Sequence, residues 1–421
     1  MTSDRTFAHI ASFLTLLFSA SVFIWKPGIY VSSGLITAYL LARTAIDQDY
    51  RRLLWNSRIT QISLAMFMLG LITSTIGAEQ FKDIAWMARK TLFIPVIIFL
   101  VFALAQQRNR TIAQLGLIGS FWIASILTLH ENNWQLSFGG RMGGTWPIGT
   151  WDALMGMFFV FMALSQKPNC LGVLWRGILV VTTMMALLML VLAGGRAPWI
   201  GVLLSMAIYF AVFNRNKRVW LAATTGAIII AILAGTVFED KARPVVERLS
   251  TVVNTTTVGS SNWIRLQLWQ IGLAHMETLA VENTREFLFG GGAESYDPKQ
   301  IEFFKTMPFD ETAREMLKDQ GYPSGDAHNN YIDSALRHGI LWTFAITVYL
   351  IWLCSQFSWT AVRSNPAPLI LLFYLLIVGA FYTVVPHFLT FFFALFIAML
   401  MSSQPPDIAT RKVERRASLP A

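Results

Sequence analysis

The feature that most constrains this chain is a succession of apolar runs, each near the ~20 residues that a helix needs to cross a bilayer core. Twelve can be read, at 7–25, 28–43, 58–77, 90–106, 111–129, 149–165, 172–193, 197–213, 218–238, 331–355, 367–385 and 387–402. Only 14% of residues are charged, against about 25% in a soluble domain. The expected fold is an all-α polytopic membrane protein with about twelve transmembrane helices. Arg5 precedes the first run as in a leader peptide, but Lys26–Pro27 and a second run follow at once, so the run reads as a retained helix.

Basic residues then set the orientation, because cytoplasmic loops carry the excess of Lys and Arg. With the N-terminus inside, the inner loops hold 17 of the 33 Lys and Arg, and the short outer loops hold 6: Lys26, Lys82, Arg89, Lys90, Arg141 and Arg196. Both termini are expected in the cytoplasm. The net charge of +9 is thus mostly a topology signal and not the footprint of nucleic-acid binding. Cys170 and Cys354 are too few and too far apart for a disulfide framework.

One loop departs from this pattern. Residues 239–326 hold 14 Asp and Glu against 9 Lys and Arg, an acidic stretch in a basic protein. Trp263, Leu266, Trp269, Leu273 and Met276 recur at helical spacing and predict a helix over 262–280. A second is expected over 308–319, with acids early and bases late as the helix dipole prefers. Gly290–Gly292 reads as a turn, since no strand precedes it as a nucleotide-binding loop requires. The organisation expected is helices one to nine over 1–238, a mostly helical periplasmic subdomain over 239–326, helices ten to twelve over 327–402, and a basic cytoplasmic tail over 403–421.

The chemistry is expected at the outer face. Helix starts there present free N–H groups and partial positive charge, and a further cation at such an end is unfavourable unless an anion binds. Arg89–Lys90 opens the fourth run, Arg141 shortly precedes the sixth, and Arg196 opens the eighth within GGRAPWIG. Helix starts plus Arg and Lys suit phosphate; each cation also has a plainer reading as an interfacial anchor. Arg265 lies on the loop helix among aromatic residues, where it is either solvated or part of the same site. His328 stands where the loop re-enters the membrane, with Asp326, Asn329 and Asp333 near it and His338 deeper. A histidine at an interface is suited to general-base work near neutral pH, although a lone histidine is more often structural.

Other signals are weaker. Asp47–Gln48–Asp49 has the DxD form of metal-dependent glycosyltransferases but lies in a basic loop on the inner side. There is no P-loop and no HExxH. The spans read as nearly free of buried charge apart from Asp152 near the start of the sixth, and that scarcity counts against an ion-coupled transporter.

Taken together, these features resemble the O-antigen ligase family, which stands with the O-antigen polymerases and the PglL-type protein O-oligosaccharyltransferases. The resemblance rests on the large outer loop before the last three spans, the turn Arg196, the loop Arg265, the basic Lys90, and a His–Asn, nine residues, Gly pattern met by His328, Asn329 and Gly339. The position three after that glycine is Trp342, where the family usually has a small residue or Tyr. The resemblance implies a GT-C-type glycosyltransferase of the bacterial inner membrane. Its activity would be transfer of a glycan from undecaprenyl pyrophosphate to lipid A–core on the periplasmic face, with inversion and with no metal or other cofactor. It implies His328 as base, and Arg196, Arg265, Lys90 and Arg141 around the donor pyrophosphate. A polymerase or protein O-oligosaccharyltransferase using the same donor is the alternative, and a lipid-linked glycan transporter the more distant one.

Overall fold

The computed structural model describes residues 2–136, 142–164, 173–213, 261–293, 295–307, 314–315, 328–356, 366–382 and 388–402. Every regular element among them is helical. From the N-terminus these are α1 (Thr2–Ile24), α2 (Lys26–Ile46), α3 (Gln48–Trp55), α4 (Arg58–Gly77), α5 (Phe81–Thr91), α6 (Phe93–Ala103), α7 (Gln107–Glu131) and α8 (Ile148–Leu164). They continue with α9 (Val173–Ala193), α10 (Arg196–Ile208) and, in the long segment before the last three apolar helices, α11 (Ser261–Glu282), α12 (Thr284–Phe289) and α13 (Tyr296–Thr306). The chain closes with α14 (Asn330–Ser355), α15 (Ala367–Gly379) and α16 (Phe388–Ser402). Among the described residues, eight helices are long and apolar enough to cross a membrane, and three more, in α8, α15 and α16, are apolar but shorter. The chain is a multi-pass membrane protein. The expected run at 218–238 and the tail 403–421 lie outside the described residues.

The sequence explains the layering. In α16 the stretch from Phe391 to Leu400 is apolar all round, and each of its residues is buried. Such a helix has no face for solvent and belongs at the centre; it packs on α6, α8 and α15. The outer helices carry lipid-suited side chains instead, with Phe13, Leu41, Met68, Leu115 and Val180 exposed. Within the bundle, backbones approach where small residues permit it. Gly156 on α8 and Gly201 on α10 both face the ring of Tyr374 on α15, whose hydroxyl donates to the Ala153 carbonyl at 2.7 Å.

Three local features differ from the sequence reading. First, α3 is a short helix on the connection after α2, capped by Asp47, whose carboxylate accepts from Tyr50 N at 2.9 Å. Asp47 also pairs with Arg43 at 3.7 Å, so the DxD sequence caps a helix.

Second, the fourth span does not begin at Arg89–Lys90. A helix already runs from Phe81, started by a box in which Gln80 N donates to Asp83 Oδ2 at 3.2 Å. Arg89 and Lys90 therefore lie in its last turn, where cations suit the helix dipole. The segment FKDIAWMARKT was read as loop because it is polar, yet its apolar side packs on α4.

Third, α14 is not one straight helix. Gly339 has φ +85° and ψ 157°, which breaks it. Ser334 and Thr343 nevertheless hydrogen-bond through their side chains at 2.9 Å, although nine residues of straight helix separate them by about 13 Å. Asn330 and Tyr331 share a small crevice with Ile346 and Leu350, which a straight helix holds about 24 Å or more from Asn330. So 330–338 folds back along 340–355 as the short arm of a hairpin.

The outer-loop helix expected over 262–280 is α11, slightly longer at each end. The helix expected over 308–319 lies outside the described residues apart from Arg314 and Glu315. His275 on α11 is buried and stacks on Phe303 (4.3 Å between centroids, 11° between planes) and Tyr296 (6.3 Å, 16°). Burial lowers its pKa below the ordinary histidine value, with Glu286 opposing and Lys299 reinforcing the shift. The unfolded segment then binds the proton more readily than the folded one. This contribution to stability is complete above the ordinary histidine pKa of ~6.5 and is lost as pH falls below it. Backbone amides over 261–307 are expected to exchange faster, after correction for intrinsic rates, as pH is lowered through that range. A His275→Phe variant should lose most of this dependence; a variant with an unchanged pH profile would assign it to other groups.

Candidate functional site

The turn between α9 and α10 is built from the sequence GGR. Gly194 takes φ +72°, Gly195 is the N-cap of α10, and Arg196 is its first residue. The turn is pinned by Trp199 Nε1 donating to the Leu190 carbonyl at 2.9 Å and by Met142 N donating to the Leu192 carbonyl at 3.1 Å. Asp152, fully buried on α8, lies against the backbone of Gly195, where a Cβ would meet its carboxylate. Sequence reasoning required an anion where a cation opens a helix. The acidic side chain beside this turn is that of Asp152.

Arg265 is partly buried on α11, one turn before Trp269. The Trp269 ring lies 6.0 Å from that of Phe381, just past the end of α15, and Tyr382 there faces Gly149 at the start of α8. Arg265 is thus carried on a helix that reaches the same ends of α8 and α15 that flank the Arg196 turn.

His328 is exposed, with φ +49°, immediately before the short arm of α14. Its neighbours fix the backbone beside it. Asn329 Oδ1 accepts from Tyr331 N at 3.0 Å and Ile332 N at 3.3 Å, and Asp333 Oδ2 accepts from Asn329 N at 3.3 Å. Asn329 and Asp333 therefore cap the arm and fix the point from which His328 projects; Asp326 lies outside the described residues. The arm is tied to α15 by Tyr331 Oη donating to the Leu376 carbonyl at 2.8 Å. It is tied to the outer-loop helices by Ile332 and Leu336, which pack with Tyr296, Trp269 and Met276. The C-terminal end of α15 is the common neighbour of the helices that bear Arg196 and Arg265 and of the arm that His328 precedes.

Lys90 stands in a different setting, among α2, α5 and α14. It is 8% exposed, and its ammonium lies 5.2 Å from the centroid of Trp86 and 5.8 Å from that of Tyr30. Arg89, Lys26 and Arg337 are close enough to repel it. Arg141 lies outside the described residues.

The junction above this cluster is made of backbone. A Cβ on Gly339 would strike the Leu288 carbonyl and stand 2.6 Å from Phe289 C. Gly290 has φ +88°, and a Cβ there would stand 2.6 Å from Gly339 N. Gly291 N donates to the Leu336 carbonyl at 3.0 Å, and Arg285 donates to the Ile76 carbonyl. Asp83, fully buried, accepts from Ser295 N at 3.3 Å and Ser295 Oγ at 3.0 Å. Lys299 reaches Glu79 at 2.7 Å and Glu286 at 2.9 Å. Burial alone would lower the Lys299 pKa, but these two carboxylates hold it above the ordinary value. The glycine run is thus a turn, as expected, and also the seat of the α14 hairpin. Trp342 is fully buried against Gly70 on α4, so the large side chain three residues after Gly339 has a small partner.

The bundle buries more ionisable groups than the sequence reading allowed. Asp83, Lys90, Asp333 and His338 join Asp152 in being less than 9% exposed. They were missed because the segment holding Asp83 and Lys90 was assigned to an outer loop, and because the α14 hairpin turns Asp333 and His338 inward. The scarcity of buried charge therefore no longer argues against transport.

Helices long and apolar enough to span a membrane, joined by a helical segment before the last three, define a polytopic membrane protein. Residues 181–347 match the family model described as O-antigen ligase. The chain carries this domain, that of the O-antigen ligase family of membrane glycosyltransferases. The matched segment includes Arg196, Arg265 and His328, whereas Lys26, Trp86 and Lys90 precede it. No curated protein matches the chain.

Proposed function

We propose that the protein is an O-antigen ligase that moves a glycan from undecaprenyl pyrophosphate to lipid A–core at the periplasmic face of the bacterial inner membrane. The topology that goes with this reading has both termini in the cytoplasm and twelve spans in a GT-C-type arrangement, with 218–238 as the ninth. The observation that carries it is that Arg196, Arg265 and His328 all fall within the segment matched to the O-antigen ligase model, on or just before helices that meet at the C-terminal end of α15.

In this reading His328 takes the proton from the acceptor sugar hydroxyl as its oxygen attacks the anomeric carbon of the donor. One glycosidic bond forms, the sugar–phosphate bond breaks, and undecaprenyl pyrophosphate leaves with the bonding pair. Attack opposite the leaving group inverts the anomeric centre and forms no covalent enzyme intermediate. Arg196, with the start of α10, and Arg265 stabilise the charge that grows on the pyrophosphate. Asp152 lies against the Gly195 backbone just before Arg196. The activated phosphate bond supplies the driving force, so neither ATP nor a metal enters the scheme.

The test is transfer by the purified chain from undecaprenyl-pyrophosphate-linked glycan to lipid A–core, in EDTA and without ATP. Glycan is expected on lipid A–core. Longer carrier-linked chains, or glycan on an offered protein, would move the assignment to a polymerase or a protein O-oligosaccharyltransferase. Arg196→Gln is expected to lower kcat by roughly 10²-fold, the scale of losing one donor to a developing oxyanion. Arg196→Lys should recover only part of this, because it restores the charge without the planar fork. Equal activity in all three proteins would remove Arg196 from the site.

A further inference from the structure

The turn that ends α7 departs from ordinary helix termination. Asn133 takes φ +53° and Trp134 φ +58°. The amide of Trp134 donates to the Leu129 carbonyl at 2.8 Å, and that of Asn133 to the His130 carbonyl at 2.9 Å. Helices that close in the left-handed region usually place glycine there, because an L side chain crowds its own backbone. Asparagine tolerates the region, but for a side chain as large as indole it is a true outlier. Strain of this kind persists where the position of the side chain is used. The use is not packing, since Trp134 is 60% exposed and Asn133 and Gln135 on either side of it are exposed as well.

The turn lies at the end of the bundle that carries Arg196. Helices α1 and α7 run parallel: Ser12 donates to Asn109 Oδ1 at 2.7 Å, and further along both helices Ser120 donates to the Ser19 carbonyl at 3.2 Å. The segment after Trp134 then crosses the end of α1, where Trp146 Nε1 donates to the Val22 carbonyl at 3.0 Å and Thr145 to the Phe23 carbonyl. The same segment reaches the α9–α10 turn through Met142 N and the Leu192 carbonyl. Trp134 is eight residues before Met142, a reach of at most about 29 Å.

An exposed indole between two neutral carboxamides has the chemistry of a sugar contact. Each carboxamide offers a donor and an acceptor together, as neighbouring sugar hydroxyls do. The C–H face of a pyranose ring is apolar and lies flat on an aromatic face. An anchor for anionic headgroups would join the ring to Lys or Arg. No Lys or Arg falls within six residues of Trp134, and its nearest charged neighbour in the sequence is the acid Glu131.

We propose that Trp134, with Asn133 and Gln135 at its sides, is a stacking platform for a sugar ring of the lipid-linked glycan. The inference rests on the glycan-transfer reading above and adds to it a contact with the sugars themselves, apart from the pyrophosphate.

The glycan is cut from its undecaprenyl-pyrophosphate carrier and titrated, free of lipid and phosphate, into the full-length protein in nanodiscs of zwitterionic lipid. Calorimetry reads Kd, and turnover of the same preparations is read with the intact donor. Trp134→Ala is expected to weaken glycan binding about tenfold, the scale of one aromatic contact. Trp134→Phe should keep most of the affinity, and Gln135→Ala should lose less than Trp134→Ala. Trp134→Gly should bind as poorly as Trp134→Ala yet unfold at or above the wild-type temperature, because it removes the strain together with the ring. Weakened binding in a protein that shows no turnover supports the platform and defeats the transfer reading alone. Turnover with equal Kd in every variant overturns the platform and leaves that reading standing. An unfolding temperature that falls on substitution in nanodiscs but not in detergent, with Kd unchanged, makes Trp134 a membrane anchor and overturns the proposal. A Trp134→Gly protein that unfolds well below the wild type gives the ring a structural role and overturns it too, as does a wild type that binds no glycan.

Discussion

Replacing His328 with alanine is expected to lower kcat for glycan transfer by about 10²–10⁴-fold, the usual contribution of a positioned general base. The protein should otherwise be unharmed. The imidazole is exposed, and the cap of the arm is made by Asn329 and Asp333. Unfolding temperature and lipid A–core binding should match the wild type, which separates loss of chemistry from loss of structure. Lowering pH should reduce wild-type turnover as the base is protonated, and the residual activity of His328→Ala should lack that limb. Full activity in the variant would leave the family assignment standing and give the base to another residue.

Gly339→Ala is expected to be the most damaging small substitution in the structure. An L-residue at φ +85° carries strain of about 1–3 kcal/mol, and its Cβ would also strike the Leu288 carbonyl. Neither term can be relieved by a side-chain rotation, because the obstruction is backbone on both sides. The arm would lift from the 288–292 loop, carrying with it Gly291 N from the Leu336 carbonyl and Arg337 from the Ala293 carbonyl. A clear fall in unfolding temperature and faster amide exchange in both 286–293 and 329–339 are predicted. Exchange changes confined to one of the two segments would show that they are not seated on each other.

Much of the bundle was legible because apolar length is a strong signal. Eleven of the twelve expected runs hold an apolar helix in the described residues, and α11 lies where its periodicity placed it. What escaped the sequence are features in which local pattern and tertiary contact disagree. The segment from Phe81 to Thr91 is too polar to read as part of a span, yet it packs on α4 and both Met87 and Lys90 are buried. The run 331–355 is apolar enough to read as one helix, and periodicity is blind to a single positive φ at Gly339. Arg196 and His328 could be singled out because they interrupt apolar sequence. Trp86, Arg337 and His338 could not, because their meeting depends on the hairpin.

The hairpin also gives a physical meaning to an interval in the sequence. The nine residues between Asn329 and Gly339 are the whole of the arm, so their number is a length and a phase together. One added residue would move the far end by about 1.5 Å and turn it by about 100°, carrying His338 away from Trp86 and Arg337 from the Ala293 carbonyl while His328 kept its place. The interval works as a gauge block set between two stops, the cap at one end and the glycine reversal at the other. Substitutions along the arm alter how it packs. Insertions and deletions alter what it measures, and the enzyme should tolerate the former far better than the latter.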